Sequence, residues 1–292
     1  MTPGFILFNH VRVEGVNAEA NQYVAGFPGV SAFTGYGHLL ERKINEKFPE
    51  NRVLVNGVSI ISHEFQMDEG HPKISASTDG AKTHQIVTPP ILEEIKADMT
   101  ISLVFSIMIK ENPEEELPEI GDFAHVFLDS FPMCGGSCWN KNPVETFLDK
   151  IELWERLEGF SDGHILIERM DLLGATENNG QPVGCDDHDS LSDLLNVLTV
   201  HKHESDEKIT WRRNQPGWIV PIAVGYQAIE TPQKRLSVRD AQPHVYAEPL
   251  IGLGEFVSIK KITFGFLTGQ EEKVFWAHKN DKDRGLYYTS CE

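Results

Sequence analysis

The chain has 292 residues, 40% of them hydrophobic and 24% charged, enough to bury one large core or two ordinary ones. Its net charge of −18, from 26 basic and 44 acidic residues, argues against binding nucleic acid through an overall basic surface. Four scattered cysteines make no disulfide framework, no apolar run reaches the length of a membrane span, and the N-terminus lacks the basic region of a secretory signal, so a reducing, cytoplasmic setting is expected with no membrane partner.

In chain order, 5–13 is apolar and partly alternating, which predicts a strand. Val30, Phe33, Gly37, Leu40, Ile44 and Phe48 recur at spacings of three and four, a helical stripe with Ser31 as its expected cap. A second strand is expected over 52–65, interrupted at Gly57. The polar stretch 64–98, punctuated by Gly70, Pro72, Gly80, Pro89 and Pro90, reads as a protruding arm. The segment 98–110, DMTISLVFSIMIK, is the strongest strand signal, β-branched and apolar. Ile120, Phe123, Ala124, Phe127, Leu128 and Phe131 then mark an amphipathic helix over 118–131, and 133–139 closes the run with a short apolar stretch. The order β-α-β-β-α-β is that of the ferredoxin-like motif used by many RNA-binding modules.

Beyond it, a helix over 143–157 is expected with Asn142 as N-cap and Gly159 as its stop, followed by a strand over 163–170. A short helix is expected over 190–200, a strand over 218–226 beside a basic loop, and a last strand over 258–266. Two domains follow: 1–140, carrying the arm, and 141–292 with its glycine-rich loop, packed on the first.

The charge is uneven. Residues 111–129 hold seven carboxylates and no lysine or arginine, while 208–245 hold Lys208, Arg212, Arg213, Lys234, Arg235 and Arg239 against Glu230 and Asp240. The run Trp211-Arg212-Arg213 through Trp218 interleaves cations with aromatics, which suits single-stranded RNA: guanidinium groups meet phosphates and rings stack on bases. The same residues also suit a solvated face around a core tryptophan. Cys134 and Cys138 lack a second ligand pair at zinc spacing. The 185–189 acidic cluster reads as a helix cap, and the twelve histidines show no catalytic spacing. Gly252-Leu253-Gly254 has neither a third glycine nor a phosphate-loop lysine, so it reads as a turn whose amides approach a phosphate backbone rather than a nucleotide cofactor. No cofactor and no metal are expected.

Several segments together resemble one family: GFPGVSAFTGYGHLLER (26–42), ISHEF (61–65), CGGS (134–137), LEGFSDGHILIER (157–169), PGWIVPIAVGYQAI (216–229), VRDAQ (238–242), PLIGLGEF (249–256) and RGLYYTS (284–290). They are similar to the Cas-five-type, second Csy subunit of type I-F CRISPR surveillance complexes. The match is weaker over 64–98 and 174–208, and the family's arm is usually more basic than this one.

That resemblance implies an α+β, modified ferredoxin-like or RNA-recognition-motif (RAMP-type) fold with an inserted thumb arm and a C-terminal α/β extension. It implies a non-catalytic subunit that holds the 5′ handle of the crRNA with the large (Cas-eight-type) subunit, caps the filament of backbone (Cas-seven-type) subunits, and meets target DNA only through the assembled complex. Arg212, Arg213, Arg235 and Arg239 are expected on phosphates, with Lys73 and Lys82 reaching from the arm, Trp218 stacking, and Gly252 and Gly254 admitting the RNA backbone. Some relatives on this fold cleave guide precursors, so a metal-independent endoribonuclease acting on CRISPR repeat RNA is the competing expectation.

Overall fold

Four large apolar residues stand in a row at Phe5, Ile6, Leu7 and Phe8, and all four are buried. A strand turns successive side chains to opposite faces, so such a run is stable only where both faces are covered. The computed structural model describes residues 1–49, 53–68, 94–110, 112–139, 142–173, 190–205, 208–213, 215–235, 243–269 and 273–291. Its first elements are β1 (Thr2–Asn17), β2 (Glu19–Asn21), β3 (Val24–Ala25), α1 (Val30–Lys47), β4 (Val53–Met67), β5 (Lys96–Ile109), α2 (Pro113–Ser130) and β6 (Ser137–Trp139). There follow β7 (Glu145–Phe147), α3 (Lys150–Glu158), β8 (His164–Glu168), α4 (Ser190–Leu198), β9 (Val200–Ser205) and β10 (Lys208–Arg213). The chain ends with β11 (Ile219–Ala228), β12 (Ala247–Ser258), α5 (Ile259–Leu267), β13 (Trp276–Asp281) and β14 (Leu286–Cys291).

The fold is mixed α+β, with five helices among the described residues around a large antiparallel sheet. Ile6, Phe8, Ile60, Leu103 and Phe105 face a core shared with Phe33, Leu40 and Ile44 of α1 and Ile120, Ala124 and Phe127 of α2. Phe5, Leu7, Ile61 and Val104 face the opposite core, with Leu153 and Trp154 of α3 and Ile259 and Ile262 of α5. Burying one such side chain stabilises the fold by about 1.5–3 kcal/mol. Gly37 sets the depth of α1, since a methyl there would press on Phe105 and Val55 at 3.1–3.2 Å.

The strands run β13-β14-β11-β12-β8-β4-β5-β1-β6, with β7 also on β1. The single sheet therefore passes through strands from both sides of residue 140. β13 also meets β4 at Trp276 and Val58, so the path β4-β8-β12-β11-β14-β13 returns on itself. Trp276 seals that closure: it is fully buried and its Nε1 donates to the Leu166 carbonyl at 2.8 Å. β9 and β10 form a separate two-stranded sheet, as do β2 and β3.

Several expectations are corrected. Residues 259–267 form helix α5, not a strand: Ile259, Ile262 and Thr263 are buried at helical spacing, and their β-branched character had suggested extended chain. Residues 252–254 are not a turn but the interior of β12, paired with β11 along their length and with β8 from Gly254 onward. The hairpin β9–β10 replaces the basic loop at its N-terminal end. Asn142 does not cap α3; Glu145–Phe147 pairs with β1 first, and the Asp149 carboxylate accepts from Ile151 N at 2.8 Å. Gly29, not Ser31, occupies the N-cap of α1. α2 starts at Pro113, five residues early, where Glu114, Glu115 and Glu116 favour the positive end of the helix. The arm roots lie inside β4 and β5, and 69–93 falls outside the described residues.

Candidate nucleic-acid interface

Trp218 sits just before β11 and is held by its own backbone, whose carbonyl accepts from Phe256 N at 3.1 Å. The preceding residue must be glycine: Gly217 has φ +109, and a methyl there would lie 2.4 Å from Glu255 Oε1. This tight corner turns the indole outward, with 53% of its surface exposed. One edge is backed by His164, centroids 5.4 Å apart and nearly perpendicular, and by Phe256 at 5.1 Å. About half of the indole surface stays open to solvent as a candidate stacking platform.

The β9–β10 hairpin supplies the cations. Trp211 stands opposite Lys202, Arg212 opposite His201 and Arg213 opposite Val200. Trp211, Arg212 and Arg213 are exposed, Trp211 by 64%. Arg213 Nη1 donates to the Ile219 carbonyl at 2.7 Å, which fastens the hairpin to the start of β11 beside Trp218. The structure thus brings Arg213 next to Trp218, with Trp211 on the same face of the hairpin and Arg212 on the other. His164, which supports the platform, is invisible to sequence spacing because it comes from β8.

Below Trp218 the charges are balanced internally. Arg169 pairs with Asp171 at 2.9 Å and with Glu255. Its hydrogen bond to Asp171 leads the effects that raise the guanidinium further above its usual range, against the opposing effect of burial.

The remaining expected residues fare differently. Arg235 pairs with Glu230 and lies over the Tyr246 ring, 4.6 Å from its centroid. Tyr246 N and then Arg235 hold the Glu230 carboxyl below the usual carboxylate range. Arg235 follows the C-terminal end of β11, whose ten residues put it roughly 30 Å along the strand from Trp218. Its charge is already matched there. The roles given to Gly252 and Gly254 are corrected too. Both are buried in β12, and the space a methyl would fill is taken by Met170 Sδ and Val224 at 2.9–3.0 Å in one case and by Leu166 at 2.7 Å in the other. They admit neighbouring protein side chains, not a ribose-phosphate chain. Arg239, Lys73 and Lys82 lie outside the described residues.

Two other constellations bear on chemistry. Burial pushes the Cys134 thiol up and Cys138 to about 11, so both stay protonated near neutrality. Ser102 Oγ lies 2.8 Å from His63 Nε2, and His63 Nδ1 lies 3.2 Å from Asp162 Oδ1, the connectivity of a hydrolytic triad. Ser102 is 0% exposed and its oxygen already accepts from His10 N, so no substrate reaches it.

The chain is 24% identical, over 98% of its length and 94% of the relative's, to the CRISPR-associated protein Csy2 of Pseudomonas aeruginosa strain UCBPP-PA14. A family model described as CRISPR-associated protein (Cas_Csy2) matches residues 6–289. The chain belongs to the Cas_Csy2 family of CRISPR-associated proteins.

Proposed function

We propose that this chain is a non-catalytic subunit of a type I-F CRISPR RNA-guided surveillance complex, where it holds the 5′ handle of the crRNA beside the large subunit and caps the backbone filament. The family match across 6–289 carries this reading. The chain order β1-α1-β4-β5-α2-β6, with strands arranged β4-β5-β1-β6, supports a modified ferredoxin-like, RAMP-type core for it. Trp218 offers a stacking surface, Arg213 a cation at its side, and Arg212 a second exposed cation on the same hairpin. The −18 charge fits a subunit whose neighbours supply most of the positive surface and whose own exterior discourages indiscriminate RNA binding.

Sequence readout of the target then rests on guide pairing, and this chain contributes position and register. The purified protein, incubated with its CRISPR repeat RNA in the absence of divalent metal, should leave the RNA intact, and the assembled complex should retain a handle-bearing guide. Specific scission within the repeat by the purified chain would replace the clamp with an endoribonuclease.

A further inference from the structure

Two bulges stand side by side on β5. In β1, Phe8 pairs with Leu103 and Val11 with Ile101, so Asn9 and His10 together oppose the single residue Ser102. In β4, Ser62 pairs with Ile101 and Glu64 with Thr100, so His63 is the extra residue. A bulge re-aims a side chain at the expense of ladder pairing. His10 adds a left-handed backbone at φ 50, which for a non-glycine residue costs on the order of 1 kcal/mol or more. Both distortions turn a histidine toward one carboxylate, Asp162, in the turn before β8. That turn is shaped for the purpose: Gly163 has φ +122, and a methyl on it would lie 3.0 Å from the His63 ring.

The hydrogen bonds behind the rings hold both histidines in place and fix the neutral tautomer of His10. Arg156 holds Glu145 through two contacts at 2.7 and 2.8 Å, so Glu145 is an acceptor and takes the Asn9 Nδ2 proton at 3.1 Å. Asn9 Oδ1 therefore faces His10 Nδ1, at 2.6 Å, and Nδ1 carries the proton. The lone pair of neutral His10 Nε2 then points at Asp162 Oδ1, 3.8 Å away. His63 places its Nε2 2.8 Å from Ser102 Oγ, a hydroxyl able to donate or accept, and its Nδ1 hydrogen-bonds the same carboxylate oxygen at 3.2 Å. Two ring nitrogens and one carboxylate oxygen are thus gathered at one place from three elements.

We propose that His10 Nε2, His63 Nδ1 and an Asp162 carboxylate oxygen bind one divalent transition ion of the zinc class. Two imidazoles and a carboxylate are a recognised donor set for such an ion. Donors on a tetrahedral site stand roughly 3.3 Å apart, and these three atoms lie within 4.8 Å of one another. Asn9 and Ser102 hold the far nitrogens as outer-shell partners hold metal-ligating histidines elsewhere. Asp162 is exposed, which leaves a fourth position for water. The ion lies in the plane of each ring it binds, so the two imidazoles, now stacked at 3.7 Å with 21° between planes, fan apart when it enters. It ties the β1 bulge, the β4 bulge and the turn before β8 together. Periodic spacing gives no hint of it, because the ligands come from three distant places, His63 and Asp162 alone being 99 residues apart.

The test uses the full chain, stripped with chelator and titrated with Zn²⁺ by calorimetry and with Co²⁺ by visible absorption. One equivalent of each is expected, with the intense bands of tetrahedral cobalt. Asp162→Asn, at an exposed side chain, keeps the native melting profile of the stripped protein and weakens Zn²⁺ binding at least tenfold; His63→Gln removes the cobalt bands. Absence of stoichiometric binding, or binding unchanged in both variants, overturns the proposal.

Discussion

Gly225 faces the main-chain carbonyl of Tyr287 so closely that a methyl built on it would lie 2.1 Å from the oxygen. The residue lies at an irregularity in β11, where Ala223 pairs with Ile251 and Gly225 with Leu250, and it also pairs across to Tyr288 of β14. β14 can approach β11 there only because no side chain intervenes. Gly225→Ala should therefore lower stability by about 3 kcal/mol through overpacking, read as a lower Tm in thermal denaturation. A Tm equal to the parent's would mean that β14 does not sit on β11 as described.

The glycine-rich segments show where sequence reasoning reached and where it stopped. Crowding at glycines was legible in PGWIVPIAVGYQAI and PLIGLGEF; what crowds them was not. At Gly225, Gly252 and Gly254 the neighbour is protein, and Gly217 is the one glycine of these segments that shapes an exposed site. α1 and α2 were readable because each buries one regular face, and β1 and β5 because their continuous apolar runs mark strands covered on both faces. β12 and α5 were not: glycines hide the first, and β-branched residues give the second a strand-like composition. The pairing of Trp218 with His164 and the meeting of His10 with His63 depend on sheet order, which one-dimensional spacing does not carry.

Trp218→Ala should weaken handle binding by the assembled complex by about 1–3 kcal/mol, the range for removing one base-stacking ring. The fold should persist, since the indole is half exposed. Filter binding or fluorescence anisotropy with labelled handle RNA measures it. An affinity equal to the parent's would take Trp218 out of the interface.

Arg212→Glu combined with Arg213→Glu should reduce guide retention in the complex and make its salt dependence shallower, because lost phosphate contacts release fewer counterions. Arg213→Gln alone separates roles, since it loses the charge but keeps a donor for the Ile219 carbonyl. Retention and salt slope that stay constant across these variants would mean that the hairpin faces a protein neighbour.

His278 links stability to pH. Burial, then the nearby His38, lowers its ring from 6.5 to about 4, and the ring stacks on Tyr287 with centroids 4.9 Å apart. The unfolded chain binds this proton below pH 6.5 while the folded one resists it, so the contribution is intact above 6.5 and is lost as pH falls toward 4. His278→Phe should flatten that part of the stability profile between pH 6.5 and 4 in urea titrations. An unaltered slope would show that other groups carry the acid sensitivity.

Photocrosslinking tests the central claim most directly. A complex assembled on guide RNA with 4-thiouridine in its 5′ handle should crosslink this chain in peptides containing Trp211 or Trp218, while the RNA keeps its length. Handle crosslinks confined to other subunits, or a guide shortened by this chain, would contradict the account.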